Sequence, residues 1–456
     1  MQGVRRWLLC SAPVAALCAL TVSAAGLTPS MAAVQSGPVS PTPDTGTPAL
    51  APNGTTEQIR QLVACKGLMY AVGSFTQISQ GGQTYTRDNI FSFNQNAPYN
   101  VTTWAPSTNG VVNSIQLTSD CNHAFIGGKF TKVDGSPASN IAYIRTYNNT
   151  MVNGWGHSAN GIVDTILRTS NNHLLVGGEF TSINGSSKKY YVSLNLGNGK
   201  DDGYLNLNIS GHYVFTGAGI NNTQVYNQQL SPDHGHVLVE GTFTKVESNQ
   251  RQQIFMLNLG AHGNVSNWYS SDFNQFCVPK HPFYIQAAAW SPDMSTVYIA
   301  TTGEFLDTWN HTFPFKLPDI CDAVAAFPAS RVGGLNPYWI NYTGCDSYFS
   351  VAADSSAVYV AGHERWADNP NDCNHPGTGS TPAQGMAAFT PGQGGGTLFK
   401  NSAGTAGLYS RARGLGADDM LLTSAGLWIA SDNFAGVSQC GGVSGHAGIC
   451  FLQYNG

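Results

Sequence analysis

The sequence predicts an all-β chain folded as a seven-bladed β-propeller, on two observations. The first is a recurring pair of short β-rich runs joined by a polar, turn-rich loop, clearest in NNHLLVGGEFTSINGSSKKYYVSLNL, Asn171 to Leu196. The second is the spacing of its copies. The small residue closing the first run falls at Gly73, Gly128, Gly178, Gly241, Thr301, Gly362 and Ser431, at intervals of 50 to 69 residues. A further β-rich run precedes the copies, as in VVNSIQLTSD, IVDTILRTSN and FYIQAAAWSPD, while Thr102–Pro106 and Val265–Ser271 are candidates for a fourth, outer strand. A lone hairpin cannot bury its apolar face, whereas three- or four-stranded units stacked around an axis bury both faces of every sheet. The rival is a β-solenoid, whose repeats are shorter.

The copies from Met69, His123, His173 and His236 are the strong ones, and those from Thr296, Ala357 and Gly426 are weaker. His123 and His173 fall in register after Asn122 and Asn172, which makes them turn residues, and LSPD (Leu230–Asp233) and WSPD (Trp290–Asp293) read as strand-connecting turns. The stretches GGKFTKVDGSPASNIAYI and GGEFTSINGSSKKYYVSL resemble the delta-60 repeat propellers of secreted bacterial proteins. YVAGHERWADNP and LLTSAGLWIASDN resemble the last blades of a related actinobacterial group. The resemblance spans about Gln58 to Gly456 and implies a fold and a secreted life, with no catalytic residue to carry over. The glycine spacing is also similar to kelch repeats, without a counterpart of the galactose-oxidase type of copper site.

With 456 residues there is ample chain for one large core, assigned to 55–456. Charged residues are only 10% of the chain, the net charge is −5, and the repeats hold no Lys/Arg cluster, so nucleic acid is excluded as a partner. Residues 1–33 read as a signal peptide: Arg5 and Arg6 precede an apolar run from Trp7 to about Ala25, with small residues after it. The alternative, a single membrane anchor, is opposed by Ser11, Pro13, Thr21 and Ser23 within the run. Signal removal leaves no membrane span, and the product is expected to be a secreted or cell-surface monomer. Residues 34–54, rich in Pro, Thr and Ser, read as an exposed linker. Because FLQYNG ends the chain straight after the last blade's third strand, Pro48–Gly54 is expected to supply the missing outer strand.

Eight cysteines remain after Cys10 and Cys18, an even count that in an exported chain favours disulfides. Blade register pairs Cys65 with Cys121, Cys277 with Cys321, Cys345 with Cys373, and Cys440 with Cys450. No Cys/His array has zinc spacing. The loops between second and third strands emerge on one face together with the blade linkers. They are short in the second to fourth copies and long in the last three, where the staples fall. Insertions on one face of a repeat protein often mark the binding face; the plainer reading is that the disulfides only restrain long loops.

The densest polar-aromatic cluster is HERWADNPND. Trp366 is suited to stack on a sugar ring, with His363, Glu364, Arg365 and Asp368 beside it and Trp309 on the preceding long loop. The structural reading has Trp366 capping its blade while Arg365 pairs with a carboxylate. Glu364 and Asp368 also fit a glycosidase acid/base pair, on thin evidence. Asp368, Asn369, Asn371, Asp372 and Asn374 offer oxygens for calcium without an EF-hand spacing; no other cofactor is expected. The function read from this is an extracellular binding module for a glycan or a surface protein. The alternative is a secreted hydrolase, lyase or oxidoreductase acting on polysaccharide, which clustered carboxylates and histidines in the central funnel would favour.

Overall fold

The computed structural model describes residues 38–456 except 52, 214–221, 275–276, 278–281, 305–318, 331, 374, 403, 405, 409–415, 434–438, 441–442 and 455–456. The expected signal peptide, Trp309 and Asn374 lie outside the described residues. Within them the chain is a β-propeller with seven antiparallel blade sheets and five further sheets of short strands. The innermost strands are Gln58–Cys65, Val111–Leu117, Val163–Arg168, Val225–Leu230, Tyr284–Trp290, Tyr348–Ala353 and Asp419–Thr423. Each pairs antiparallel with a second strand carrying the repeat motif, for example His173–Gly178, and that with a third, for example Tyr191–Asn195. Fourth strands are short. Asn264–Val265 and Trp339–Tyr342 are paired strands, whereas elsewhere single bridges such as Phe93 to Val101 and Ile144 to Met151 take their place. Neighbouring innermost strands touch all the way round, and a bridge between Gln58 and Asp432 joins the first blade to the last.

Why this sequence forms blades is visible at two register positions. The strand-two glycines are a matter of close approach. A Cβ on Gly73, Gly128, Gly178, Gly241 or Gly362 would stand 2.0–2.2 Å from a carbonyl oxygen at or just before the start of strand one. The residue before every third strand (Asn89, Asn140, Tyr190, Gln253, Asp322, Gly385 and Gly448) has a left-handed backbone that re-aims the chain into the sheet. The cores lie between blades rather than within them. Seven buried clusters occupy the seven seams, as Phe125, Ile141, Val163 and Ile166 do between blades two and three. Each fully buried side chain of this size contributes about 1.5–3 kcal/mol.

Four cysteine pairs are at bonding distance: Cys65–Cys121, Cys277–Cys321, Cys345–Cys373 and Cys440–Cys450. The segment expected as an exposed linker is packed from residue 38 on, because Val39, Leu50 and Ala51 are apolar enough to be drawn into the seams and are buried there. Ser40 and Asp44 donate backbone hydrogen bonds to Gln453 and Phe451 of the last strand. Ala49–Leu50 instead pair with Ser79 and Ile78 of the first blade, and the Leu50 N–H reaches Ala447. No helix among the described residues is long and apolar enough to cross a membrane.

Candidate functional site: the channel mouth and the loop face

The innermost strands share a defect. In six blades the pairing between strands one and two slips by one residue near the start of strand one, skipping Arg60, Asn113, Asp164, Tyr226, Gln286 and Phe349 in turn. A bulge re-aims the skipped side chain, and all six line a central cavity of about 670 Å³. In the seventh blade pairing begins at Asp419, so Asp418 takes the same register and lines the same cavity. The bulges lie beside the ends of the second strands, where the long loops leave, so this ring is the loop-face mouth of the channel. Deeper lining residues such as Val63, Leu167, Ala289 and Leu421 are apolar.

The bulge also explains the next ring. It leaves the N–H two residues further on without a ladder partner, and a polar side chain of the preceding blade takes it. Gln61 accepts from Ile115 at 2.6 Å, Ser114 from Ile166 at 3.1 Å, and Asp419 from Leu62 at 3.0 Å. Asp419 is therefore a seam residue. Burial pushes its carboxyl up to about 6, against the pull of that N–H.

The mouth has two unlike arcs. Blades seven, one, two and three contribute Asp418, Arg60, Asn113 and Asp164, the last three linked through Arg60 Nη1 to Asn113 Oδ1 (2.6 Å) and Asn113 Nδ2 to Asp164 Oδ1 (2.9 Å). Burial pushes the Asp164 carboxyl up to about 7, with Glu179 adding and Arg60 and Asn113 opposing. Burial likewise raises Asp418 well above the carboxylate range, opposed by Arg60 and reinforced by Asp432 and Asp419. Blades four, five and six contribute Tyr226, Gln286 and Phe349, an uncharged and largely aromatic arc.

The residues singled out in HERWADNPND do not converge on one point. His363 sits at the channel rim, its ring edge-on to Phe349 at 5.0 Å. Glu364 is fully buried inside its blade, where burial raises its carboxyl well above the usual range. Arg365 turns outward, holds Asp346 through Nε (2.6 Å) and Nη2 (2.9 Å), and lies 4.4 Å over the Trp366 ring. Asp368 has a left-handed backbone like Asp134, Asn184 and Glu247 in earlier blades. Asp134, Asn184 and Glu247 hold the preceding linker, accepting from the N–H of Ser107, Ser158 and Asn208, and Asp368 holds the preceding blade's fourth strand, accepting from the Asn341 side-chain amide. Asn369 is likewise occupied, donating to Asp372 and His375 and accepting from Gly377.

The channel ring is what sequence reasoning missed. Its signal is a single column, the residue that follows Ile59, Val112, Val163, Val225, Ile285, Tyr348 and Ala417. It reads Arg60, Asn113, Asp164, Tyr226, Gln286, Phe349 and Asp418 only when all seven first strands are aligned. Among the described lining residues carboxylates do cluster, whereas histidine is absent.

No family model matches the sequence, and no curated protein does. Among solved structures the chain is similar to that of U3-55K, at 11% identity and a TM-score of 0.43 over 90% of this chain and all of the other. It is similar also to the WD40 repeats of RRP9, at 11% identity and a TM-score of 0.45 over 91% and 99%. The sheets and their register, rather than these likenesses, define the fold.

Proposed function

We propose that the protein is an exported, monomeric binding module, akin to the delta-60 repeat propellers, that takes a glycan in the loop-face mouth of its channel. The observation that carries this reading is the division of one ring of inward side chains into a hydrogen-bonding arc (Arg60, Asn113, Asp164, Asp418) and an aromatic arc (Tyr226, Phe349). A sugar ring offers hydroxyls around its edge and C–H surface on its faces, so it needs both kinds of wall in one concave site. Export is supported by the four cysteine pairs, since disulfides persist in oxidising compartments. The test is calorimetric titration of the oxidised protein with neutral, amino and acidic oligosaccharides. The expected outcome is saturable binding to one class, weakened about tenfold or more by Phe349→Ala, which removes half of the aromatic arc. Absence of binding across the panel would sink the reading.

A second reading, a polysaccharide-cleaving enzyme, has one observation in its favour. Asp164 and Asp418 are carboxyls that burial raises, Asp164 to about 7, and a general acid needs a carboxyl raised in this way. Release of reducing ends by the native protein and its loss in Asp164→Asn would establish it.

A further inference from the structure

We propose that the ligand of the channel mouth carries a positive charge, as an amino sugar does, and that its binding expels protons from Asp164 and Asp418. This rests on the glycan reading above and narrows its substrate class.

The argument begins with charge. Arg60 is the one cationic side chain among the described lining residues, against Asp164, Asp354, Asp418 and Asp419. Its guanidinium is spent on amides, Gln58 Oε1 at 3.0 Å and Asn113 Oδ1 at 2.6 Å, and forms no hydrogen bond with any of the four carboxyls. Asp354 accepts from the Tyr359 and Tyr454 hydroxyls. Asp419 has its donor in the Leu62 N–H. Asp164 and Asp418 differ from it: each keeps one buried carboxyl oxygen, Oδ2, with no hydrogen-bond donor among the described residues.

A buried carboxylate oxygen without a donor is costly. In the empty mouth the cheaper state holds the proton. The acidic neighbours favour this, since Glu179 faces Asp164 while Asp432 and Asp419 face Asp418; Arg60 opposes at both carboxyls, and the Asn113 amide opposes at Asp164. A ligand ammonium entering between them reverses the balance. It donates to Oδ2, the carboxyl ionises to a carboxylate paired with the ammonium, and the carboxyl proton leaves to solvent while the amine keeps its own. Tyr226 and Phe349 line the mouth opposite these carboxyls, and an aromatic ring favours a cation over a neutral group at its face.

The experiment uses the oxidised protein at pH 6.0 and two probes, the trisaccharide of glucosamine and its fully N-acetylated counterpart. Each is titrated calorimetrically in two buffers of different ionisation enthalpy. The expected result is about tenfold tighter binding of the amino trisaccharide, with a binding heat that differs between buffers in the sense of proton release. Asp164→Asn and Asp418→Asn, each checked for an unchanged melting temperature, are expected to bring the two probes within about threefold of each other and to shrink the buffer difference. Equal affinity for the two trisaccharides, or a heat independent of buffer, overturns this inference and leaves the glycan reading standing. Binding of neither trisaccharide removes this inference, while any other saccharide that binds would preserve the broader reading.

Discussion

Blades two and six use the same register and differ in what they place on it. After strand two, blade two reads Phe130, Thr131, Lys132, Val133, Asp134, and blade six reads Glu364, Arg365, Trp366, Ala367, Asp368. Phe130 and Glu364 are both buried; Val133 and Ala367 are both buried; Asp134 and Asp368 both have left-handed backbones and both accept a hydrogen bond from the preceding blade's outer segment. The small hairpin that follows is kept too, as Lys132–Val133 with Ser136–Pro137 and as Trp366–Ala367 with Thr381–Pro382. A run that looks functional as a string is thus largely scaffold when laid on its repeat. What is particular to blade six is a carboxyl where a phenyl ring belongs, and an aromatic ring where blade two shows a lysine to solvent.

The comparison is broken most directly from the blade-two side. Phe130→Ala removes a ring that is 2% exposed, and is expected to cost about 3–5 kcal/mol in denaturant unfolding. A cost below about 1 kcal/mol would mean that the register position does not need its apolar residue. Next comes the staple within blade six. Replacing Cys345 and Cys373 together by serine opens a span of 28 residues and is expected to cost about 2–4 kcal/mol, without lowering channel affinity. Smaller, and dependent on pH, is the effect of carboxyls at apolar positions. Glu240 stands where blades two and three have Gly127 and Gly177, and burial pushes its carboxyl up to about 8. Raised above its unfolded value, it makes the native state hold a proton that the unfolded chain has already lost. Its contribution is therefore fully present below the ordinary glutamate range and declines as pH climbs toward about 8. Glu240→Gln should match the parent's melting temperature at pH 4.5 and exceed it at pH 8.5; parallel curves would refute the assignment.

The blade repeat was legible because the strand-two glycines and the turns before third strands are dictated by backbone geometry, which leaves the same residue types at the same spacing. The cysteine pairs were legible for the same reason: Cys65 and Cys121 hold equivalent places in neighbouring blades, and the other three pairs each close a loop within one blade. The channel mouth was not. Its seven residues, from Arg60 to Asp418, share a position but no chemistry, because each is free to differ once the bulge has aimed it inward. Asp368 misled for the opposite reason: its carboxylate sits amid conspicuous neighbours, yet its role is the turn that Asp134 and Asn184 perform elsewhere. The burial of Val39 and Leu50 was hidden by the Pro, Thr and Ser around them.

The smallest expected effect bears on where a ligand sits. Trp366 occupies the position of Lys132, half-buried, with the Arg365 guanidinium 4.4 Å above its ring. Arg365 does not depend on that ring for its place, because Asp346 holds it through two nitrogens. Trp366→Ala therefore forfeits little more than one cation–π contact and some exposed apolar surface, about 0.5–1 kcal/mol in chemical denaturation. A ligand bound among Asp164, Asp418 and Phe349 would not register the change, so its affinity is expected to stay within about twofold. A loss of tenfold or more would move the binding site out of the channel mouth and onto the stapled loop of blade six.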